Sequence, residues 1–132
     1  MKDNIDILVV DDNPAMATTL VDILTAKGYL AHAATSGAEA LKFLHSRQVN
    51  ILLTDVKMAD INGVELYIKT KRTHPDIIPI LMTAFAADDL IRQGMEAGVK
   101  TVLTKPLDID FLLMLLSAAS NTQFYSHTGR RK

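Results

Sequence analysis

Four apolar runs in this chain each stop at a side chain that could do chemistry. Asp11 and Asp12 follow Ile7-Leu8-Val9-Val10, and Asp55 closes Ile51-Leu52-Leu53-Thr54. Thr83 closes Ile77–Met82, and Lys105 follows the run from Val99 to Thr104. Runs this short and apolar suit strands buried on both faces of a parallel sheet. An unpaired carboxylate inside such a strand is costly. At the strand's C-terminal end it lies where open α/β sheets place a ligand crevice. Parallel strands bring all four ends to one edge, so three carboxylates, a hydroxyl and an ammonium converge there. Clustered carboxylates repel one another unless a cation neutralises them. With no His or Cys in the set, hard oxygen ligands favour Mg²⁺. Asp55 is then a carboxylate nucleophile toward phosphorus. Asp12 and Asp55 hold the metal, with Asp11 binding it directly or through water, and the metal offsets charge on the phosphoryl group. Lys105 adds a second positive charge and Thr83 a hydrogen-bond donor, which is most of what phosphoryl transfer requires.

The elements that must position these residues alternate regularly. Asn13-Pro14 opens a first helix, a capping residue followed by a residue at home in the first turn, and Gly28 is its stop. Met16, Leu20, Ile23 and Leu24 fall on one face of it. Tyr29–Ala33 is a second strand. Thr35-Ser36-Gly37 starts a second helix with Ala40, Leu41 and Leu44 as its stripe. After Asp55, Asp60-Ile61-Asn62-Gly63 forms a turn into a third helix, Val64–Arg72. Pro79 is placed near the start of the fourth strand. Asp88 or Asp89 caps a fourth helix ending near Gly98, and Asp108 caps a fifth that runs to about Ala119. This βα alternation predicts one doubly wound α/β domain, a five-stranded parallel sheet with helices on both faces. The domain spans residues 1–120, and the polar stretch 121–132, ending Arg130-Arg131-Lys132, reads as a flexible tail or the stub of a linker.

Composition narrows the function classes. The chain has 132 residues, 48% of them apolar, enough for one real core. A net charge of -1 gives no electrostatic case for direct nucleic-acid binding or an anionic membrane surface. There is no cysteine, hence no disulfide or thiolate metal site, which fits the cytoplasm. No apolar stretch approaches the ~18 residues of a membrane span, and the start is not a signal peptide. His32, His45, His74 and His127 form no metal-spaced set and read as surface or packing residues.

Taken together, Asp11-Asp12, Asp55 with Met58 and Gly63 after it, Thr83-Ala84 and Lys105-Pro106 resemble the receiver domain of two-component response regulators. Each piece alone is weak, but all of them in this order, each at its own strand end, are specific. The resemblance covers about residues 5–119. It implies a flavodoxin-like (βα)5 fold with strand order 2-1-3-4-5, and phosphorylation of Asp55 by a sensor histidine kinase. It implies that the backbone carbonyl of Lys57 completes the metal ligands. It also implies that Thr83 moves toward the aspartyl phosphate and reshapes the face of helix 4, strand 5 and helix 5. Such a chain catalyses only its own phosphoryl transfer and hydrolysis, and otherwise is no enzyme. The sequence departs from the family pattern twice. Ala59 stands where a proline is common, and Val102 where an aromatic usually swings inward. Phe85 is the nearest aromatic to Thr83 and reads as packing.

Helix 5 is unusually apolar. Ile109, Leu112, Leu113 and Leu116 make its inward stripe, leaving Phe111, Met114 and Leu115 turned partly outward. Exposed apolar clusters tend to mark contacts, so a homodimer or partner surface through helix 4, strand 5 and helix 5 is expected there. An output domain or protein would receive the signal. The alternative function is a pseudo-receiver, the same fold used for protein contact without phosphorylation. The complete acidic set argues against it, and Val102 argues for it. A phosphatase of the haloacid-dehalogenase type would carry its two aspartates two residues apart after strand 1, and here they are adjacent. A dinucleotide-binding fold would need a Gly-rich loop where this chain has Asp-Asp-Asn-Pro.

Overall fold

Alternate residues of the central strands face opposite ways, and this builds two cores on one sheet. The computed structural model describes residues 5–84 and 89–129, with side chains through 119. The strands are β1 (Asp6–Val10), β2 (Leu30–Ala34), β3 (Ile51–Asp55), β4 (Ile78–Thr83) and β5 (Thr101–Thr104). The helices are α1 (Pro14–Ala26), α2 (Gly37–His45), α3 (Gly63–Thr70), α4 (Asp89–Ala97) and α5 (Ile109–Gly129). All strand pairs are parallel, in the order β2-β1-β3-β4-β5. Ile7, Val9, Ile51, Leu53, Ile80 and Met82 pack with α1 and α5 on one face. Leu8, Val10, Leu52 and Leu81 pack with α2, α3 and α4 on the other. The doubly wound sheet expected from the alternation is therefore present.

The helix starts follow from side-chain caps. Asn13 accepts from the amides of Ala15 and Met16 and has Pro14 after it; Ser36 accepts from Glu39 and Asn62 from Glu65. Gly28 and Gly98, at φ 97° and 118°, let the chain leave α1 and α4 in a left-handed conformation that side-chain residues resist. Past Gly98 the amide of Val99 still bonds back to the Gly94 carbonyl. Val99 and Lys100 thus finish the helix end, and β5 begins at Thr101 rather than at Val99.

One boundary differs by more. α5 does not stop near Ala119; it continues to Gly129, so residues 121–129 are helical where a flexible tail was expected. Polar composition suggested a tail, but no Gly or Pro lies between Ala119 and Gly129 to break the helix. In α5 Leu112 and Leu116 are buried and Ile109, Leu113 and Leu115 pack partly against the same core. Among the described residues, no helix is long and apolar enough to cross a membrane.

Candidate functional site

The carboxyl edge of the sheet collects the residues singled out by the sequence. β1 ends at Val10, so Asp11 emerges beside it and is fully buried, while Asp12 is exposed. Asp55 ends β3 and is only 8% exposed. Carboxylate oxygens of Asp11, Asp12 and Asp55 lie within 4.8 Å of one another. Lys105 follows β5, and its Nζ stands 3.0 Å from Asp11 Oδ2 and 3.3 Å from Asp55 Oδ2. One ammonium therefore answers two of three carboxylates. Net negative charge remains, in a pocket that buries most of it. The donor set is all oxygen, has no nitrogen or sulfur ligand, and includes an exposed member open to solvent. It fits a hard divalent cation.

Backbone hydrogen bonds hold these side chains in place. Asp11 Oδ1 accepts from the amide of Asn13, so the carboxylate that pairs with Lys105 also fixes the turn into α1. The Lys105 amide donates to the Thr83 carbonyl at 2.8 Å, which ties the ends of β4 and β5 to each other. In register, Asp55 lies opposite Met82 and Thr83 opposite Thr104. The buried Thr83 thus stands one step beyond Asp55 on the adjacent strand. The Lys105–Pro106 peptide is cis.

Electrostatics follow the geometry. Burial pushes the Asp55 carboxyl above its ordinary pKa; Lys105 opposes the shift, and the charges of Asp11 and Asp12 add to it. Burial alone would pull the Lys105 ammonium down, but the Asp11 hydrogen bond and the charges of Asp55 and Asp11 outweigh it and hold the pKa above its usual value. An aspartate that resists ionisation, flanked by two more acids and one cation, is a site waiting for positive charge.

A response regulator receiver domain profile matches residues 7–117. The chain belongs to the response regulator receiver domain family. It is 34% identical over 117 residues to the transcriptional regulatory protein ZraR of Klebsiella oxytoca, covering 89% of this chain and 26% of that one. The chain thus spans about a quarter of the length of this relative. A CheY-like receiver domain protein from Methanospirillum hungatei JF-1 superposes with TM-score 0.83 at 26% identity, over 92% of this chain and 98% of that one. A response regulator protein from Burkholderia pseudomallei, solved with a phosphorylated aspartic acid, a calcium ion and citrate, superposes with TM-score 0.79 at 27% identity, over 93% of this chain and 73% of that one.

The receiver domain keeps the side chain of Lys57 exposed. Val102 is half-buried on β5 and packs against the core shared by α2, α3 and α4. Phe111 and Met114 are exposed at 44% and 57%. Phe85 and Asp88 lie outside the described residues. Three further residues support the site, and the sequence singled out only Gly63 of them for it. Gly63 is needed for space, because a Cβ there would come within 2.2 Å of the Asp55 carbonyl oxygen. Gly37 is tight against Ile61 in the same way. Asp60 was read as a turn residue, yet its carboxylate reaches the first two amides of α2. Only Gly63 carried a signal, as part of the family motif; the other two depend on contacts between distant segments.

Proposed function

We propose that Asp55 accepts a phosphoryl group from the phosphohistidine of a sensor histidine kinase, with Mg²⁺ as the cofactor. What carries this reading is the arrangement of Lys105 Nζ, 3.0 Å from Asp11 and 3.3 Å from Asp55, beside a third carboxylate from Asp12. An Asp55 carboxylate oxygen attacks phosphorus, the bond from phosphorus to the imidazole nitrogen breaks, and neutral histidine leaves once it has a proton. Asp11, Asp12, Asp55 and the Lys57 carbonyl would hold Mg²⁺, which supplies positive charge to the phosphoryl oxygens when bound. Lys105 would contribute positive charge as well, exchanging its Asp55 contact for a phosphoryl oxygen. Thr83 donates its hydroxyl to another oxygen. Hydrolysis of the acyl phosphate restores the carboxylate, and the chain acts on no other substrate.

The signal leaves through the face of α4, β5 and α5, where Phe111 and Met114 are exposed. We assign to that face a homodimer contact strengthened by phosphorylation. Relatives that the chain matches over about a quarter of their length are transcriptional regulatory proteins, and we infer a DNA-directed output domain or protein as the partner that receives the signal. A kinase donor fits a reaction in the cytoplasm. The test is incubation with Mg²⁺ and acetyl phosphate, followed by mass spectrometry. Wild type should gain one phosphoryl group and Asp55→Asn none. No gain on wild type, or an equal gain on Asp55→Asn, would leave the pseudo-receiver as the function.

A further inference from the structure

The loop after Asp55 is tied to a helix that contributes nothing to the acidic cluster. Asp60 Oδ1 accepts from the Gly37 amide at 3.1 Å, and Oδ2 accepts from the Ala38 amide at 2.8 Å. Ser36 takes the Glu39 amide. All three N–H groups of the first turn of α2 that have no helical partner are therefore satisfied, two of them by a residue 22 and 23 positions away. The approach is close. A Cβ at Gly37 would sit 2.2 Å from Ile61 Cγ1, so a larger residue there would force the Ile61 side chain to shift. The amides of Ala38, Ile61 and Gly37 hold the Asp60 carboxyl below its ordinary pKa, so it is ionised and able to accept both bonds.

The rest of the loop is fixed at its ends. The Val56 amide donates to the Met82 carbonyl, and the Gly63 amide donates to the Val56 carbonyl at 2.7 Å. Between these anchors run Lys57, Met58, Ala59 and Asp60. Ala59 leaves the backbone free at a position where a proline would stiffen it by about 0.4–1 kcal/mol. The Asp60 contacts are a tertiary restraint on that stretch, beside the packing of Met58 against the core.

We propose that Asp60 is a positioning residue for the phosphoacceptor loop, clamping it to the N-terminus of α2 so that the Lys57 carbonyl is held ready for the metal. This rests on the reading of Asp55 and its neighbours as a Mg²⁺-dependent phosphoryl acceptor. Residues that orient metal ligands without touching the metal typically change affinity about 10–100-fold when lost.

The test compares wild type with Asp60→Ala, Asp60→Asn and Gly37→Ala, the last removing the close approach without altering charge. Mg²⁺ affinity by calorimetry is the first readout, the rate of mass gain from acetyl phosphate the second, and metal-free thermal melting the control. Asp60→Ala should weaken Mg²⁺ binding about 10-fold. Asp60→Asn, with one acceptor oxygen left, should fall between it and wild type. Gly37→Ala should weaken binding in the same direction as Asp60→Ala. Should Asp60→Ala fail to fold, Asp60→Asn and Gly37→Ala carry the comparison. Mg²⁺ affinity within twofold of wild type in all folded variants overturns the clamp, as does a wild type that binds no Mg²⁺. A wild type that binds Mg²⁺ but gains no mass defeats the phosphoacceptor reading alone, and calorimetry still decides the clamp.

Discussion

At the scale of single residues, the site works by holding more negative charge than its surroundings can balance. Asp55 is desolvated and stands beside Asp11 and Asp12, with Lys105 shared between two of the three acids. Its pKa is raised in the fold, so the sign of the pH dependence is fixed. Asp55's protonated form is favoured by folding, and its stabilisation is present below the unfolded value of 3.8 and lost as pH rises through the higher folded value. Without metal, Asp55→Asn should therefore melt higher than wild type at neutral pH, and the difference should shrink as pH falls toward 4. Lys105 keeps Asp11 as a partner in that variant. Added Mg²⁺ should reverse the order, because it stabilises only chains that bind it. Calorimetric melting with chelator and with Mg²⁺ measures both; a metal-free Asp55→Asn that melts below wild type at pH 7 contradicts it. These residues were legible in the sequence because a carboxylate at the end of an all-apolar strand breaks a simple pattern. Asp60 was not, because an aspartate in a turn has an adequate local reason to be there.

At the scale of elements, the strand-to-helix turns carry the precision. The turn from β3 to α3 closes with the Gly63 amide on the Val56 carbonyl, while the Gly63 Cα faces the Asp55 carbonyl. An added methyl meets backbone at 2.2 Å, and neither partner is the flexible tip of a side chain. Gly63→Ala should cost about 1–3 kcal/mol of stability, as overpacking does. It should also displace the end of β3 and slow phosphorylation of Asp55 more than that loss explains. Denaturant unfolding together with acetyl phosphate kinetics on the folded fraction would show it; wild-type kinetics with wild-type stability would refute it. The five strands and five helices were legible because period-2 and period-3.6 apolar spacing separate them cleanly. The end of α5 was not, since Ser120 to Thr128 are polar enough for a tail and yet contain no helix breaker. The start of β5 was misplaced because Val99 is apolar for a different reason, packing under the end of α4.

At the scale of the whole molecule, the two faces of the sheet divide the work. α1 and α5 share one core, and α2, α3 and α4 share the other. β5, at the edge of the sheet, touches both, with Leu103 in one core and Val102 against the other. The Lys105 amide donates to the Thr83 carbonyl, and Lys105 opens the turn that leads to α5. On α5, Phe111 and Met114 are exposed at 44% and 57%. A stable interface buries about 800 Å² per partner, more than two side chains provide. Self-association of this domain alone should therefore be weak and dependent on concentration. Sedimentation should find a monomer at low micromolar concentration without a phosphoryl mimic. With Mg²⁺ and beryllium fluoride, the weight-average mass should rise toward a dimer as concentration increases. Replacing Phe111 and Met114 together by serine should abolish the rise while leaving phosphorylation of Asp55 at the wild-type rate. A wild type that stays monomeric with and without the mimic across the range removes the dimer, and an unchanged rise in the double variant moves the contact to another face.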